Sequence, residues 1–465
     1  GGADVDSSDF ADALVGGYRE ATAIVRKNAP AIESWMARFE DIEVRHIPRA
    51  TSRYASFMRE GWHPDYLRDA VERDRLLDKL WAEAQLKLEL VALVPDEQAD
   101  LRAGDIPFFS TRPGSRDLWS SRGHRIENYF EESALDVSRL RLSALSEAEC
   151  EKQSTLVRQA VLSAKRQFPG DTAEADYASE PATSDELLSA ATLIAEHLRA
   201  RAIWGADDAC WIGPVMKKSD HWEWGLSPLG TGLYEGVAGP ALLFARLANA
   251  TANSDFRNTA MAAVRPIQRH LRDEYSLGTL NIGGYSGAAS LAFTLAAVSL
   301  ELSESQLFED AIAGLGRLEL HVGSDLNLDV LGGSAGCALV ALALYRASGD
   351  SRLLDVAAWC GERLISTAAP QKVGIGWVGV IGQRALGGFA HGAAGITWAL
   401  LELEHALSDQ RFGALADGSL AFERSLYSPD DREWQDGRPN QPHETGKPST
   451  WCYGAAGVAL SRVLS

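Results

Sequence analysis

Small and apolar residues recur at regular intervals in the C-terminal part of the chain. A Gly-x-x-Gly step followed by about ten mostly apolar residues occurs five times, at Gly236/Gly239, Gly284/Gly287, Gly333/Gly336, Gly392/Gly395 and Gly454/Gly457. The first glycines of these pairs are 48, 49, 59 and 62 residues apart. This interval is near the period of a repeat made of two helices and their connections. The pattern therefore predicts a helical repeat.

The run that follows each turn predicts a helix buried on all sides. The runs after Gly287 and Gly336 have almost no polar face, and such helices must be enclosed by protein. Neither reaches the roughly 20 apolar residues that span a bilayer. More polar segments, such as 258–273 and 355–365, alternate with them. We expect a ring of inner apolar helices wrapped by outer amphipathic ones, with the Gly-x-x-Gly turns gathered around one cavity.

Residues 1–167 follow a different pattern. Apolar periodicity there predicts helices at residues 10–26, 32–39, 51–60, 63–93 and 147–164. Residues 168–185 are rich in Pro, Ser, Thr and acidic residues, which is typical of a linker. Thr183 and Glu186 predict a capping box before a helix at 187–201. We therefore predict a mainly all-α protein with domains at 1–167 and 186–465.

Composition and net charge disfavour some classes of function and of cellular compartment. The net charge of −19 and a pI of about 5.0 disfavour a nucleic-acid partner, because phosphate-backbone binding needs a basic face. The five cysteines are few, odd in number and widely spaced, which indicates a reducing compartment rather than a disulfide framework. Neither a signal peptide nor a membrane span is recognisable, so we expect a cytoplasmic protein.

Two segments of the first domain could carry chemistry. Residues 44–54 contain three arginines, a histidine and a threonine, and arginine forks suit phosphate recognition. The alternative is a helix N-terminus capped by Thr51, with the arginines solvated or paired to acids. Residues 104–111 form a turn with an aromatic pair. Its alternative is a loop that Phe108 and Phe109 pin to the core.

Five motifs together resemble those of a class II lanthipeptide synthetase (LanM type), the enzyme that dehydrates Ser and Thr of a precursor peptide and closes thioether rings. They are Arg45-x5-Thr51-x-x-Tyr54, Gly104-Asp105-Ile106-Pro107, Asp329-Val330-Leu331-Gly332-Gly333, Gly388-Phe389-Ala390-His391-Gly392 and Trp451-Cys452-Tyr453-Gly454. By this resemblance, residues 1–167 are the helical, C-lobe-like end of a lipid-kinase-like dehydratase domain. Residues from 186 onward resemble the LanC-like cyclase, an α/α toroid that holds zinc.

The resemblance implies a role for each motif. In the cyclase, a zinc-bound peptide thiol attacks a dehydroamino acid and the resulting enolate is protonated. Cys452 is the implied zinc ligand and His391 the implied general acid or base. Asp329 would orient the imidazole, and Tyr453 would act beside the metal. In the dehydratase, Arg45 would engage the leaving phosphate and Thr51 would assist its elimination.

Each role has a structural alternative. Cys452 could be a buried free cysteine, and His391 a core histidine satisfied by the backbone. Asp329 could be the N-cap of a helix before Leu331, and Tyr453 an aromatic wedge between helices. These alternatives stay open at the level of the sequence.

The sequence departs from the family pattern at both ends. The family completes its zinc site with a Cys-His pair on a later repeat, which we expect beyond Ser465, and its toroid has seven turns where five are visible. ATP and Mg²⁺ are expected only for a missing upstream part, because no nucleotide-binding residues precede Arg45. The chain is therefore predicted to be a truncated synthetase.

The implied partners are a precursor peptide and a peptide exporter. A non-catalytic LanC-like module that binds a peptide or protein is the alternative from another functional class. An α/α-toroid glycosidase or a terpenoid-type cyclase is a third, disfavoured because no carboxylate pair sits at the turns.

Overall fold

The structure is a computed structural model. It describes residues 10–85, 87–163, 181–218, 222–273, 277–278, 280–380, 384–430, 432–435 and 450–464. The chain divides into two compact units, Gly1–Lys165 and Arg166–Ser465. Of the predicted linker, residues 168–180 lie outside the described residues. Both units are mainly helical, which confirms the predicted fold class.

The described part of the first unit contains eight α-helices. They are α1 (Ala11–Lys27), α2 (Ala29–Met36), α3 (Thr51–Gly61), α4 (Pro64–Leu67), α5 (Ala70–Ala84), α6 (Val94–Ala103), α7 (Ala134–Ala144) and α8 (Glu147–Ser163). A core that includes Tyr54, Phe57, Leu80 and Phe109 packs α3, α5 and α6 against a small sheet. Four of the five predicted helices are present with small shifts at their ends.

The predicted helix at 63–93 is wrong as a single element. The chain forms α4, α5 and a 3-10 turn at Leu88–Leu90 instead. The reason is two local caps. The ring of His63 accepts the Asp65 N–H at 3.3 Å, and the Asp69 carboxylate accepts the Val71 N–H at 2.9 Å. Each cap starts a new helix, which a periodic apolar pattern does not reveal.

A four-stranded antiparallel sheet was missed by the sequence analysis. It pairs β1 (Val44–His46), β2 (Phe109–Thr111), β3 (Leu118–Ser120) and β4 (Arg125–Ile126) in that order. The register places Arg45 opposite Ser110, Ser110 opposite Trp119, and Trp119 opposite Arg125. Residues directly opposite in an antiparallel pair point to the same face. These four side chains therefore share one face of the sheet.

The second unit is built from helix pairs. Its first helix is α9 (Ser184–Arg201), which begins with the predicted Thr183–Glu186 capping box. Four helix pairs follow along the chain, with one short helix between the second and third pairs and one helix after the last pair. They are α10 (Ala238–Thr251) with α11 (Ser254–Arg272), α12 (Ala288–Leu302) with α13 (Ser305–Gly316), the short α14 (Glu319–Val322), α15 (Ser334–Ser348) with α16 (Arg352–Thr367), α17 (Ala393–Leu407) with α18 (Gln410–Ser425), and α19 (Ala455–Leu464).

The pairs form two layers. Helices α10, α12, α15, α17 and α19 each pack on the next and make the inner layer, while α11, α13, α16 and α18 make the outer one. The inner helices are buried on most sides. The outer helix α11 buries one face, including Phe256, Ile267 and Leu271. This is the α/α toroid arrangement that the alternation of apolar and amphipathic segments predicted.

Short antiparallel hairpins connect or extend these helices. Their strands are β5 (Ile203–Trp204) with β6 (Ala209–Cys210), β7 (Ile212–Lys218) with β8 (Trp222–Pro228), β9 (Ala369–Pro370) with β10 (Ile375–Gly376), and β11 (Tyr427–Ser428) with β12 (Glu433–Trp434). No helix in the described ranges is long and apolar enough to cross a membrane.

The turn glycines allow close backbone approach. A Cβ atom at Gly336, Gly395 or Gly457 would overlap a carbonyl oxygen six residues earlier in the chain. In the second repeat, however, the predicted register was wrong. Gly287 caps α12 as Gly333 caps α15, so Ser290 stands where the other repeats have their second glycine. The sequence period alone could not decide whether Gly284 or Gly287 is the first glycine of this repeat, because Gly284 also has the right spacing.

Candidate active site

Backbone hydrogen bonds join successive turns of the toroid. The N–H groups of Leu233 and Tyr234 both donate to the Tyr285 carbonyl oxygen, at 3.1 and 3.0 Å. The Tyr285 N–H donates to the Leu331 oxygen at 3.1 Å, and the Leu331 N–H donates to the Ala390 oxygen at 3.2 Å. These bonds link four turns in order along one rim of the inner layer.

The fifth turn adjoins the fourth through a glycine. A Cβ atom at Gly388 would overlap the carbonyl oxygen of Cys452 and crowd the Cα atom of Tyr453. Only a residue without a side chain allows this approach. The His391 turn and the Cys452 turn are therefore in direct backbone contact.

Asp329 and His391 form a buried pair at this rim. Nδ1 of His391 is 2.8 Å from Oδ2 of Asp329, and the two side chains are 10% and 8% exposed. The other carboxylate oxygen of Asp329 accepts the N–H of Gly332 at 2.7 Å. The carboxylate is thus held by its own turn and holds the imidazole in one orientation. Asp329 is not the cap of the next helix, because Gly333 takes that position.

Tyr453 covers the imidazole. Its ring stacks on that of His391 with the centroids 5.5 Å apart and an interplanar angle of 26°. This contact joins the Cys452 turn to the His391 turn, while the predicted wedge between helices stays a prediction. A hydroxyl role beside a metal stays a prediction.

Trp451, the residue before Cys452, lies in an aromatic cluster that the sequence analysis did not predict. The Trp451 ring lies 5.8 Å from that of Tyr285, 6.1 Å from that of Phe389 and 6.3 Å from that of Tyr234. Burial raises the pKa of Tyr234, and negative charge on the nearby Cys452 sulfur and on Glu235 raises it further. A usable signal was present, because Tyr285 and Phe389 each directly follow a turn glycine.

An apolar cavity lies below this cluster among the inner helices. Its volume is about 180 Å³. Tyr285, Val330 and Trp398 are among its lining residues. The Trp398 indole N–H is buried and has no hydrogen-bond partner within the described ranges. The cavity can accept an apolar side chain with a hydrogen-bond acceptor beside it.

Two further acids position the turns. Asp325 is buried, and its Oδ2 accepts the N–H and the hydroxyl of Ser334 at 2.8 and 2.6 Å. On the Cys452 side, Glu433 accepts the Ala455 N–H at 2.6 Å where α19 begins. Sequence reasoning found neither residue, because acids that cap a neighbouring turn carry no motif of their own.

The fully buried Glu423 ties α18 to α19. It accepts the Trp434 indole N–H at 2.9 Å and pairs with Arg462. Burial raises the pKa of the Glu423 carboxyl, although the neighbouring Arg462 opposes this shift. The pair fixes the helix that follows the Cys452 turn.

The residues that the structure describes do not make a zinc site. In these ranges no three His, Cys, Asp or Glu side chains converge where they could share a metal ion. Structural and catalytic zinc sites need at least three protein ligands. The predicted ligand Cys452 lies at the rim, but the ligand set of the family is not assembled around it within the described ranges.

The first unit separates the three arginines of residues 44–54. Arg49 is buried and bonds Glu97 at 2.8 Å and Glu83 at 2.6 Å, and Arg53 bonds Glu83 at 2.7 Å. These two arginines are paired to acids, as the structural alternative predicted. Arg45 is exposed and bonds no carboxylate in the described ranges, which agrees with the solvated arginine of the same alternative, and its guanidinium lies 5.6 Å from the Phe108 ring.

Thr51 is the first residue of α3 and is exposed. Ala50 is the N-cap, so the predicted capping by Thr51 is wrong. No hydrogen bond joins Thr51 to Arg45 in the part of the chain that the structure describes. In the second motif, Gly104 ends α6 with a φ of 83°. Phe109 there is fully buried whereas Phe108 is 40% exposed, so only one of the two aromatic rings pins the segment.

Each of the two units matches the sequence profile of a known protein family. The sequence profile of the lanthionine synthetase C-like proteins matches residues 227–465, which is more than half of the chain. The chain belongs to this family. A second profile, the domain of unknown function DUF4135, matches residues 1–112. The two matches in this order support a class II lanthipeptide synthetase, so the resemblance of the five motifs is confirmed. No curated protein sequence matches the chain.

Proposed function

We propose that this lanthionine synthetase C-like chain modifies a peptide in two steps. The first eliminates phosphate from a phosphorylated Ser or Thr to leave a dehydroamino acid, and the second adds a Cys thiol to it. The observation that carries the proposal is the buried Asp329–His391 pair at the rim where the turns meet. A carboxylate that orients an imidazole is a recurring device for proton transfer near neutral pH.

The addition step can be written with the side chains of this rim. Asp329 accepts a hydrogen bond from Nδ1 of His391, which leaves Nε2 to take the proton of the substrate thiol. The sulfur bonds to the β-carbon of the dehydroamino acid, and the π electrons move to the α-carbon and its carbonyl as an enolate. His391 then returns the proton to the α-carbon. The net change is addition of S–H across one C=C bond.

The elimination step uses the first unit. The electrons of the Cα–H bond form the C=C bond, and phosphate departs with the electrons of the C–O bond. The α-proton ends on the released phosphate, so the net change is the loss of one hydrogen phosphate ion from the phosphorylated residue. Arg45 would hold that phosphate, because a guanidinium binds phosphate through two parallel hydrogen bonds. Thr51 would assist the departure. The exposure of both residues supports their access to a peptide.

Cys452 remains the predicted zinc ligand. One thiolate supplies only one of the four ligands that zinc usually takes, so the steps above are written for the protein's own side chains. Zinc content per chain, compared between the wild type and Cys452→Ala, measures this ligand role separately from catalysis.

A synthetic peptide tests the addition step. It carries one dehydroalanine and one cysteine, and the loss of free thiol is followed by alkylation and mass spectrometry. We expect the wild type to close the ring faster than the uncatalysed peptide and His391→Asn to close it about 10²-fold more slowly than the wild type. His405→Asn is the matched control, since His405 is exposed near the far end of α17. Equal rates for both variants would reject the role of His391.

A non-catalytic peptide-binding module is the second candidate. The observation in its favour is the apolar cavity beside the rim, where the buried Trp398 indole N–H has no partner in the described ranges, because such a cavity can hold a peptide side chain without any reaction. This alternative predicts that the same peptide binds with measurable affinity, is not converted above the uncatalysed rate, and binds equally well to His391→Asn.

A further inference from the structure

One face of the sheet in the first unit is unusually rich in arginine and aromatic side chains. The row Arg45, Ser110, Trp119 and Arg125 points to this face by register. Arg112 follows two residues after Ser110, and side chains two residues apart in a strand point to the same side. Its guanidinium lies 5.4 Å from the centroid of the Trp119 ring, which places it on that face.

The arginines of this face differ in their partners. Arg125 bonds Asp117, which also accepts the N–H of Asn128 at 2.8 Å. Arg45 and Arg112 are both exposed, and neither bonds a carboxylate within the described ranges. The chain carries 64 acidic and 45 basic residues. By the same register Glu43 lies opposite Arg112, so the face carries charges of both signs. Arg45 and Arg112 are the two of its arginines that bond no carboxylate in the described ranges, so their charge remains available to a ligand.

Each of the two guanidinium groups packs against an aromatic ring. Arg45 lies over Phe108 at 5.6 Å, and Arg112 lies over Trp119. Stacking on a ring restricts the guanidinium plane while its N–H groups stay available to a ligand. A restricted, unpaired guanidinium loses less entropy when it binds an anion.

The spacing of the two arginines fits one small anion. Arg45 pairs with Ser110, so Arg112 is its diagonal neighbour across β1 and β2. Diagonal neighbours have Cα atoms about 7 to 8 Å apart, and arginine side chains are long enough for two such neighbours to reach the same tetrahedral group. Arginine also presents a planar fork that matches phosphate oxygens.

We propose that Arg112 is a second phosphate-binding residue beside Arg45, and that together they hold the phosphate monoester of a phosphorylated Ser or Thr in a peptide. The proposal rests on the function proposed above for Arg45. It adds a residue that none of the five motifs contains. A peptide is favoured over a polyanion because the net charge of −19 would repel a nucleic acid.

Fluorescence anisotropy with the full chain tests this site. The probe is a labelled peptide with one phosphoserine, and its comparison is the same peptide with serine. We expect Arg112→Gln to weaken binding of the phosphopeptide about tenfold and to leave the serine peptide unchanged. Arg112→Lys should lie between Arg112→Gln and the wild type, because it keeps the charge and loses the planar fork. Inorganic phosphate should compete with the phosphopeptide.

Arg141→Gln is the matched control, since it removes the same charge from an exposed position on α7. If Arg112→Gln behaves like Arg141→Gln while Arg45→Gln loses affinity, the role of Arg112 is overturned and that of Arg45 stands. If the wild type binds both peptides equally and Arg45→Gln changes nothing, the phosphate site is absent and the proposed elimination function fails with it.

Discussion

The carboxylate of Asp329 lies 2.8 Å from Nδ1 of His391, although the two residues are 62 positions apart. Two features of the backbone produce this contact. The Leu331 N–H bonds the Ala390 carbonyl oxygen, and Asp329 bonds the N–H of Gly332 in its own turn. The pair is therefore set by the packing of two turns rather than by a flexible side chain.

Asp329→Asn is expected to impair ring closure without unfolding the toroid. The amide oxygen can still accept the Gly332 N–H, but an amide cannot stabilise a charged imidazole as a carboxylate does. We expect the ring-closure rate to fall about 10²-fold and the thermal midpoint to change little. Asp355→Asn, an exposed acid in the first turn of α16, is the control. Equal activity of the two variants would contradict the orienting role.

Thr51→Ala separates elimination from stability. Thr51 is the exposed first residue of α3 and not its cap, so alanine should not lower the thermal midpoint. When a phosphoserine peptide is supplied, the variant should leave it phosphorylated, about 80 Da heavier than the unmodified peptide. The wild type should convert it to the dehydrated form. Ser138→Ala, an exposed hydroxyl on α7, is the control, and full conversion by Thr51→Ala would exclude Thr51 from the step.

Gly395→Ala should destabilise the second unit. Its Cβ atom would overlap the Phe389 carbonyl oxygen and crowd Val330, so the turn that carries His391 must move. We expect a cost of about 1 to 3 kcal/mol, seen as a lower denaturation midpoint, together with slower ring closure. At Gly316, the last residue of α13, nothing lies within 4 Å of an added Cβ. Gly316→Ala should therefore be neutral or stabilising, and a similar loss in both variants would argue against the close-approach explanation.

His46 should make the first unit less stable in mild acid. Its ring packs edge-on against Phe130 and Tyr129, and burial lowers the pKa of the His46 imidazole below the usual 6.5. The folded state then binds fewer protons than the unfolded state. The His46 contribution is present above pH 6.5 and is lost as the pH falls through the lowered folded-state pKa. Burial raises the pKa of Tyr129 to about 12, so the phenol does not titrate in this window.

Urea denaturation at several pH values between about 8 and 5 measures this effect, because the window brackets the usual histidine pKa. The wild type should lose more unfolding free energy across the range than His46→Phe, which keeps an aromatic ring and cannot be protonated. His405→Phe removes an exposed histidine and should behave like the wild type. Identical pH slopes for the wild type and His46→Phe would refute the prediction.

The sequence by itself determined the elements whose signal is local. The apolar runs after each turn predicted buried inner helices, and Thr183 with Glu186 predicted the start of α9. Both depend on residues within a few positions of each other, where periodicity and capping act directly. The motifs around Arg45, Asp329, His391 and Cys452 also predicted the family correctly.

Only the tertiary structure decided the features that depend on distant partners. Strands of two or three residues are too short to show alternation, so the sheet that presents Arg45 and Arg112 could not be read from the chain. The register of Gly287 in the second repeat depended on which backbone carbonyl it meets. The pairing of Asp329 with His391 likewise depended on the contact between turns, because hydrogen bonds of this range form only when packing brings both groups together.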